Sequence, residues 1–356
     1  MTASEFVRKA DKKSIRMRSA LMEHAAVARG YAVDRISVNT ILVGLGGRRV
    51  AFQDMNGPTS SAAAKSVCAN KATTRCLLAA AGLPVGSWRA FAPDAVNDGW
   101  AFAHSIDGPV VVKPATQAMS RGVTTGVADG EAFVAAWRHA AAFYEPPAVS
   151  PMIAEEHASP PLVLVEAQVE GADFRCFVVG DRVVAVIERR PPTVRGDGRR
   201  SVAELIEEQN RLRADNPGLA GYPIPLEPHV LEGLAASGLD LEDVPRSGEV
   251  LTLHDRTSLV AGAETIESTE SVHPGFADVA LAALAAVPGL RYGAVDLLAP
   301  TVSAAPTLEN HVVGEVEFAP GPMSHFPAAG EPRDVAGAIL EFYAGEHDVT
   351  NAGRQR

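Results

Sequence analysis

Asp296 stands inside the apolar run GAVDLL (293–298), and Glu315 and Glu317 alternate with apolar residues in GEVEFAPG (314–321). No other feature restricts the fold as much. Successive side chains of a strand point to opposite faces, so Glu315 and Glu317 share one side. Ionised carboxylates among apolar neighbours are costly unless they are paired. Three of them on adjacent strands repel one another unless a cation lies between. The chain is therefore expected to bring 293–298 and 314–319 side by side, with the carboxylates converging on a divalent cation. Mg²⁺ suits such a place, because it takes carboxylate and phosphate oxygens together.

The remaining sequence divides by periodicity. Ile15, Leu21, Met22, Ala25 and Val27 predict a helix over 13–30, stopped at Gly30. AVDRIS, NTILVG and RRVAFQ read as short strands, the last two joined at Gly46-Gly47. Residues 60–81 read as helices ended by Gly82-Leu83-Pro84, and PVVVKP (109–114) as a buried strand. A helix is expected from Gly130 to Ala142, then a Pro-rich surface connection over 144–161. LVLVEAQV, DFRCFVV and RVVAVIERR follow as strands, and SVAELIEEQNRLRAD as an amphipathic helix. Residues 214–248 are rich in Pro and Gly. A long Ala-rich helix after Pro274 leads into RYGAVDLL and HVVGEVEFA. The fold class is α+β, with mainly antiparallel sheets.

Bulk properties narrow the function. The 356 residues are 47% hydrophobic and 21% charged, with a formal net charge of −11, which argues against a nucleic-acid partner. No uncharged apolar run is long enough to span a membrane, and MTASEFVRKADKKS does not read as a signal peptide, so a cytoplasmic protein is expected. Cys68, Cys76 and Cys176 show neither metal-ligand nor disulfide spacing and read as small hydrophobes.

Other residues have two readings each. Lys113, at the end of VVVKP, either holds a phosphate or snorkels to the surface. In TQAMSRGVTTG, the backbone around Ser120, Arg121 and Gly122 either cradles phosphate oxygens or forms an ordinary turn. Glu166, Asp173 and Arg175 in VEAQVEGADFR line either a nucleotide hinge or a solvated hairpin. The basic run Arg189-Arg190, Arg195, Arg199-Arg200 either attracts an anionic substrate or is a solvated loop. His273, before Pro274, is a candidate base or a structural helix start.

In order along the chain, these residues resemble the ATP-grasp superfamily, and most of all the ATP-grasp region of cyanophycin synthetases and bifunctional glutathione synthetases. ERRPPTVRGDGRRSVAELIEEQN is similar to that group's R-x-P-x-x-V-x-G-D-G run. ANKATTRCLLAAAGLPVG is similar to its DK-x-x-T-x-x-x-L-x-x-x-G-x-P helix, and EVEFAPG to its EVNAAPG. The resemblance implies an ATP-grasp fold, two α+β subdomains with ATP between them, after a short, reduced N-terminal α/β domain. The implied boundaries are 1–60 for that segment, 61–345 for the ATP-grasp domain with a nucleotide-binding lid subdomain at about 85–170, and 346–356 for a tail.

The resemblance also implies roles. Lys71 and Lys113 contact phosphates. Ser120, Arg121 and Gly122 form the phosphate lid. Glu166 faces adenine and Asp173 ribose. Arg175 and Arg190 are catalytic, at phosphate or acyl phosphate. Asp296, Glu315 and Glu317 bind two Mg²⁺ ions, with Mn²⁺ as a substitute. Glu317 stands where the family usually has Asn, and Asn70 where it has Asp. The implied activity is ATP-dependent joining of the carboxylate of an amino acid or peptide to an amine through an acyl phosphate. The alternatives are a kinase-like phosphotransferase and an inactive nucleotide-binding regulator. The expected partners are small-molecule substrates and a second copy in a homodimer. The brevity of the chain leads to the expectation of a stand-alone ligase.

Overall fold

The computed structural model describes residues 1–117, 119–143, 162–226, 233–235, 238–319 and 321–352, with 346–352 as backbone alone. The connection read over 144–161 lies wholly outside the described residues, as does part of 214–248.

The chain opens with α1 (Ala3–Asp11), started by a reciprocal capping box between Thr2 and Glu5. The periodic stretch over 13–30 becomes α2 (Met17–Ala28), which buries Leu21, Met22, Ala25 and Ala26. The three strand-like runs form the antiparallel sheet β1 (Val33–Arg35), β2 (Thr40–Leu45) and β3 (Arg48–Gln53). This segment has no private core. Ile41, Val43 and Phe52 pack in one cluster with Phe177, Ile187 and Tyr292, far along the chain, and with Ile339 and Leu340 of the C-terminal helix. Fully burying side chains of this size contributes about 1.5–3 kcal/mol each.

Residues 60–81 form α3 (Ala62–Cys68) and α4 (Lys71–Ala80), each with a side-chain cap. Asn70 caps α4, its Oδ1 accepting from the N–H groups of Ala72 and Thr73 at 3.0 and 3.2 Å. A small antiparallel sheet follows. Its members are β4 (Trp88–Phe91), β5 (Val110–Pro114), β6 (Thr124–Val127) and β7 (Val163–Ala167), in the order β4-β7-β5-β6. It is covered by α5 (Val96–His104) and α6 (Gly130–Ala142), with Phe133 and Trp137 against Val112 and Val165.

A short link over 168–171 leads to the larger sheet. Gly171 (φ +154°) runs so close to Ala299 that a Cβ would lie 2.8 Å from its carbonyl carbon, which requires glycine. The sheet contains β8 (Ala172–Val179) and β9 (Arg182–Arg190). A small two-stranded sheet, β10 (Thr193–Arg195) with β11 (Val250–Thr252), then packs with α7 (Val202–Asp215) around a separate core of Val194, Leu205 and Ile206. The larger sheet resumes with β12 (Glu264–Glu267), β13 (Tyr292–Ala299) and β14 (Val312–Glu317), in the order β12-β9-β8-β13-β14, all antiparallel.

Strand alternation gives this sheet one largely apolar face, with Glu188, Arg190 and Glu264 at its β9–β12 end. Phe174, Cys176, Val295 and Leu297 pack there on Phe276, Ala280 and Ala283 of α8 (Pro274–Ala285). The other face is divided. Phe177, Ile187, Tyr292 and Ala294 join the N-terminal core, closed by α9 (Val335–Ala352), whereas Asp173, Arg175, Arg189 and Asp296 continue the same face as a charged patch. α9 continues past 345, where the sequence reading began a tail.

Candidate active site

The strands β13 and β14 pair as the opening residues require: Asp296 lies opposite Glu315, and Ala294 opposite Glu317. The register then slips, with Leu297 opposite Val313 and Gly314 as the extra residue. Without this bulge Val313 would share the face of Glu315. With it, Val313 turns into the apolar core and both glutamates stay on the charged side. One oxygen from each of Asp296, Glu315 and Glu317 lies within 4.8 Å of the others.

Cations hold this cluster together. Arg175 Nε and Nη2 donate to the two carboxylate oxygens of Asp296, both at 2.7 Å. Its Nη1 and Nη2 donate to Glu317 at 3.0 and 2.7 Å. Arg189 Nη2 bridges Asp296 (2.8 Å) and Asp173 (2.6 Å), and the Thr257 hydroxyl donates to the second oxygen of Asp173 at 2.8 Å. Burial opposes the charge on Asp296, but Arg175 and Arg189 outweigh it and hold the carboxyl well below its ordinary range. For Glu317, burial comes first and the like charges of Asp296 and Glu315 add to it, so its carboxyl is raised despite Arg175.

The smaller sheet supplies a second charged group. Lys113 on β5 and Glu166 on β7 form an ion pair, and Arg75 of α4 meets the other oxygen of Glu166 at 2.7 Å. The three side chains are only 13%, 12% and 5% exposed respectively. Arg75 also donates to the Val85 carbonyl at 2.7 Å. Burial raises the Glu166 pKa, but Lys113 and Arg75 leave it below the usual glutamate value. Lys113 is lowered, chiefly by burial, with Glu166 opposing and Arg75 adding.

Lys71 joins the two sheets. Its Nζ donates to Glu315 and to the Gln117 carbonyl, both at 2.9 Å, and its backbone N–H donates to the Ala115 carbonyl at 2.8 Å. The loop after β5 is thereby tied to α4. Met119, Ser120 and Gly122 take left-handed φ of 59°, 57° and 72°, and Arg121 lies over the Phe143 ring at 5.9 Å.

The structure thus groups Asp296, Glu315, Glu317, Arg175, Asp173 and Lys71 along one cluster, and Lys113 with Glu166 on the facing sheet. Asp173 belongs to the carboxylate cluster, and lies on a different sheet from Glu166. Both oxygens of Glu166 are engaged by cations. Arg190 is 54% exposed and pairs with Glu188 on the outside of β9, whereas its neighbour Arg189 enters the cluster. The basic run is laced with acids, since Arg200 pairs with Asp197 and Arg190 with Glu188. His273 caps α8, its Nδ1 accepting from the Gly275 N–H at 3.0 Å. Sequence reasoning named Arg189 only as part of the basic run, and missed Arg75 and Thr257. Arg75 had a signal, because it lies four residues after Lys71 and so on the same helix face.

The donor set fits a hard divalent cation: three carboxylates, no sulfur or imidazole, and a lysine beside them. Arg175 occupies the same oxygens. Among the described residues no helix is long and apolar enough to cross a membrane.

No family model matches the chain. It is 30% identical over 281 residues to a cyanophycin synthetase of Synechocystis sp., covering 77% of this chain and 30% of that protein. It is 31% identical over 292 residues to the Nostoc sp. cyanophycin synthetase, covering 81% and 30%. It is also 31% identical over 188 residues to the glutathione biosynthesis bifunctional protein of Clostridium perfringens, covering 51% and 23%. The chain therefore spans less than a third of the length of these relatives. Among solved structures, a bifunctional glutathione synthetase from Pasteurella multocida superposes with a TM-score of 0.67 at 23% identity, over 93% of this chain and 44% of that one. Its two antiparallel sheets, bridged by Lys71 between the loop after β5 and Glu315, together with this superposition, define an ATP-grasp fold. The chain belongs to the ATP-grasp superfamily, and its homologues are the cyanophycin synthetases and the bifunctional glutathione biosynthesis proteins.

Proposed function

We propose that this protein is an ATP-dependent ligase that joins the carboxylate of an amino acid or peptide to an amine through an acyl phosphate, releasing ADP and phosphate. The observation that carries this reading is the seam itself: Lys71 bridges the loop after β5 to Glu315, with Asp296 and Glu317 beside it and Lys113 on the opposite sheet. The activities for which its homologues are named support it.

A carboxylate is a poor acyl donor, because its leaving group would be oxide. If its oxygen attacks the γ-phosphorus of ATP, ADP leaves; the amine nitrogen then attacks the carbonyl carbon of the acyl phosphate, phosphate leaves, and the nitrogen gives up a proton. Catalysis here consists mainly of positioning and charge neutralisation. Lys71 and Lys113 are placed to bind phosphate oxygens from the two sides of the seam, and Asp296, Glu315 and Glu317 would hold Mg²⁺, in one or two ions. A divalent cation there supplies charge neutralisation to the transferring phosphate. Arg175 and Arg189 are the buried donors nearest those carboxylates and are suited to stabilise charge on the acyl phosphate or the tetrahedral oxyanion. The backbone at 119–122, with its left-handed turns, is suited to close over phosphates. Adenine would lie beside the Glu166 strand, where Glu166 acts by orienting Lys113. Cytoplasmic location and a homodimer completing the substrate pocket are part of this reading.

The test is ADP release with single amino acids and with pairs. The ligase reading expects ADP only when a pair is present, together with a new amide mass. ADP with one substrate and a stable phosphorylated product would replace it with a phosphotransferase. Tight ATP binding without turnover on any pair would replace it with a regulator.

A further inference from the structure

Most oxygens of the carboxylates that would hold a cation are already engaged. Both oxygens of Asp296 accept from Arg175, and one also accepts from Arg189. Both oxygens of Glu317 accept from Arg175. One oxygen of Glu315 accepts from Lys71. The guanidinium of Arg175 therefore makes four charge-assisted contacts with two carboxylates that also belong to the three-carboxylate cluster. A cation coordinated by the same oxygens would compete with this set. One oxygen of Asp296 already accepts two donors, and the guanidinium and the cation would repel at close range.

We propose that Arg175 is an internal competitor for the divalent cation, so that cation binding requires Arg175 to release Asp296 and Glu317, and an incoming phosphate is the group that takes the released guanidinium. The proposal rests on the ligase reading and adds an order of events to it. Glu317 is the residue that makes the competition strong. A carboxylate there gives Arg175 a second forked partner, which an amide side chain, with one acceptor oxygen, would not. Two consequences follow. The protein alone should bind divalent cations weakly despite its three carboxylates. Nucleotide and cation should also bind with positive coupling, each strengthening the other by the same factor.

The experiment is Mn²⁺ binding to the full chain, followed by electron paramagnetic resonance, with and without a non-hydrolysable ATP analogue. The protein alone should bind Mn²⁺ at least tenfold more weakly than an Arg175→Met variant alone. The coupling between Mn²⁺ and analogue should shrink in that variant. Equal Mn²⁺ affinity of the two proteins without nucleotide would overturn the competition. If Arg175→Met does not fold, Arg175→Lys keeps the charge but cannot fork, and its Mn²⁺ affinity should exceed that of the parent severalfold; no gain would again overturn the proposal. A Glu315→Gln control separates the levels. If the analogue-bound parent binds Mn²⁺ no better than Glu315→Gln does, the cation site is misassigned and the competition falls with it. If that difference is present but the Arg175 variants show no gain, only the competition falls.

Discussion

Glu166→Gln is the substitution that tests the buried charge arrangement most directly. Glu166 is the common partner of Lys113 and Arg75, and all three are nearly buried. The amide keeps the volume and removes the charge, which leaves two cations facing each other without an anion. Removing one partner of a buried pair costs about 3–5 kcal/mol, against about 0–1 kcal/mol for exposed pairs. The upper range is expected here, because two cations are stranded. The assay is built into the chain: its three tryptophans are Trp88, Trp100 and Trp137, all within the small sheet and its helices. Tryptophan fluorescence in a urea titration therefore reports on the unit that Glu166 holds together. Removing the lysine charge as well, in Lys113→Gln/Glu166→Gln, should recover part of the loss. Lys113 is already held low by burial and loses its chief favourable partner in the variant. The single variant's deficit should therefore shrink as pH rises and Lys113 gives up its proton. A loss below about 1 kcal/mol for Glu166→Gln would refute the reasoning, since it is what an exposed pair would give.

Glu315→Gln should reduce ADP release to background while circular dichroism and the melting temperature stay near those of the parent; full activity would remove Glu315 from the cation site. Gly122→Ala forces φ +72° on a residue whose Cβ would sit 3.0 Å from Pro114 Cδ and 3.1 Å from Phe143 Cδ2. A local cost of about 1–2 kcal/mol and weaker nucleotide binding are expected, measured by calorimetry. His325 is held at about 4, mainly by burial, with Asp334 opposing and His24 adding. Its folded pKa is depressed from about 6.5. Its contribution is therefore present above pH 6.5 and lost as pH falls toward 4, by about 3 kcal/mol. Denaturation of the parent and of His325→Gln across that window should show a flatter profile for the variant.

Local physics made much of this molecule legible before any coordinates. The β-branched runs became strands, the residues over 62–80 became capped helices, and alternation placed Glu315 and Glu317 on one side with Asp296 opposite. Apolar flanks marked those carboxylates as buried enough to need a counter-charge. Lys71 entered only through the resemblance, at the start of the helix that carries it. What the sequence could not determine was which groups answer those charges. Arg175 and Asp296 are 121 residues apart, and Lys113 and Glu166 are 53 apart. Alternation tells which face a side chain takes, but long-range strand register tells whom it meets. Register put Arg189 rather than Arg190 opposite Asp173, drew Asp173 away from Glu166 and into the carboxylate cluster, and set the Gly314 bulge that keeps both glutamates on the charged side. It also fused the first sixty residues to half of the same sheet face, because neither could bury its apolar surface alone. The residue types at the site were written in the sequence, whereas their pairing was decided only when strands distant along the chain came together.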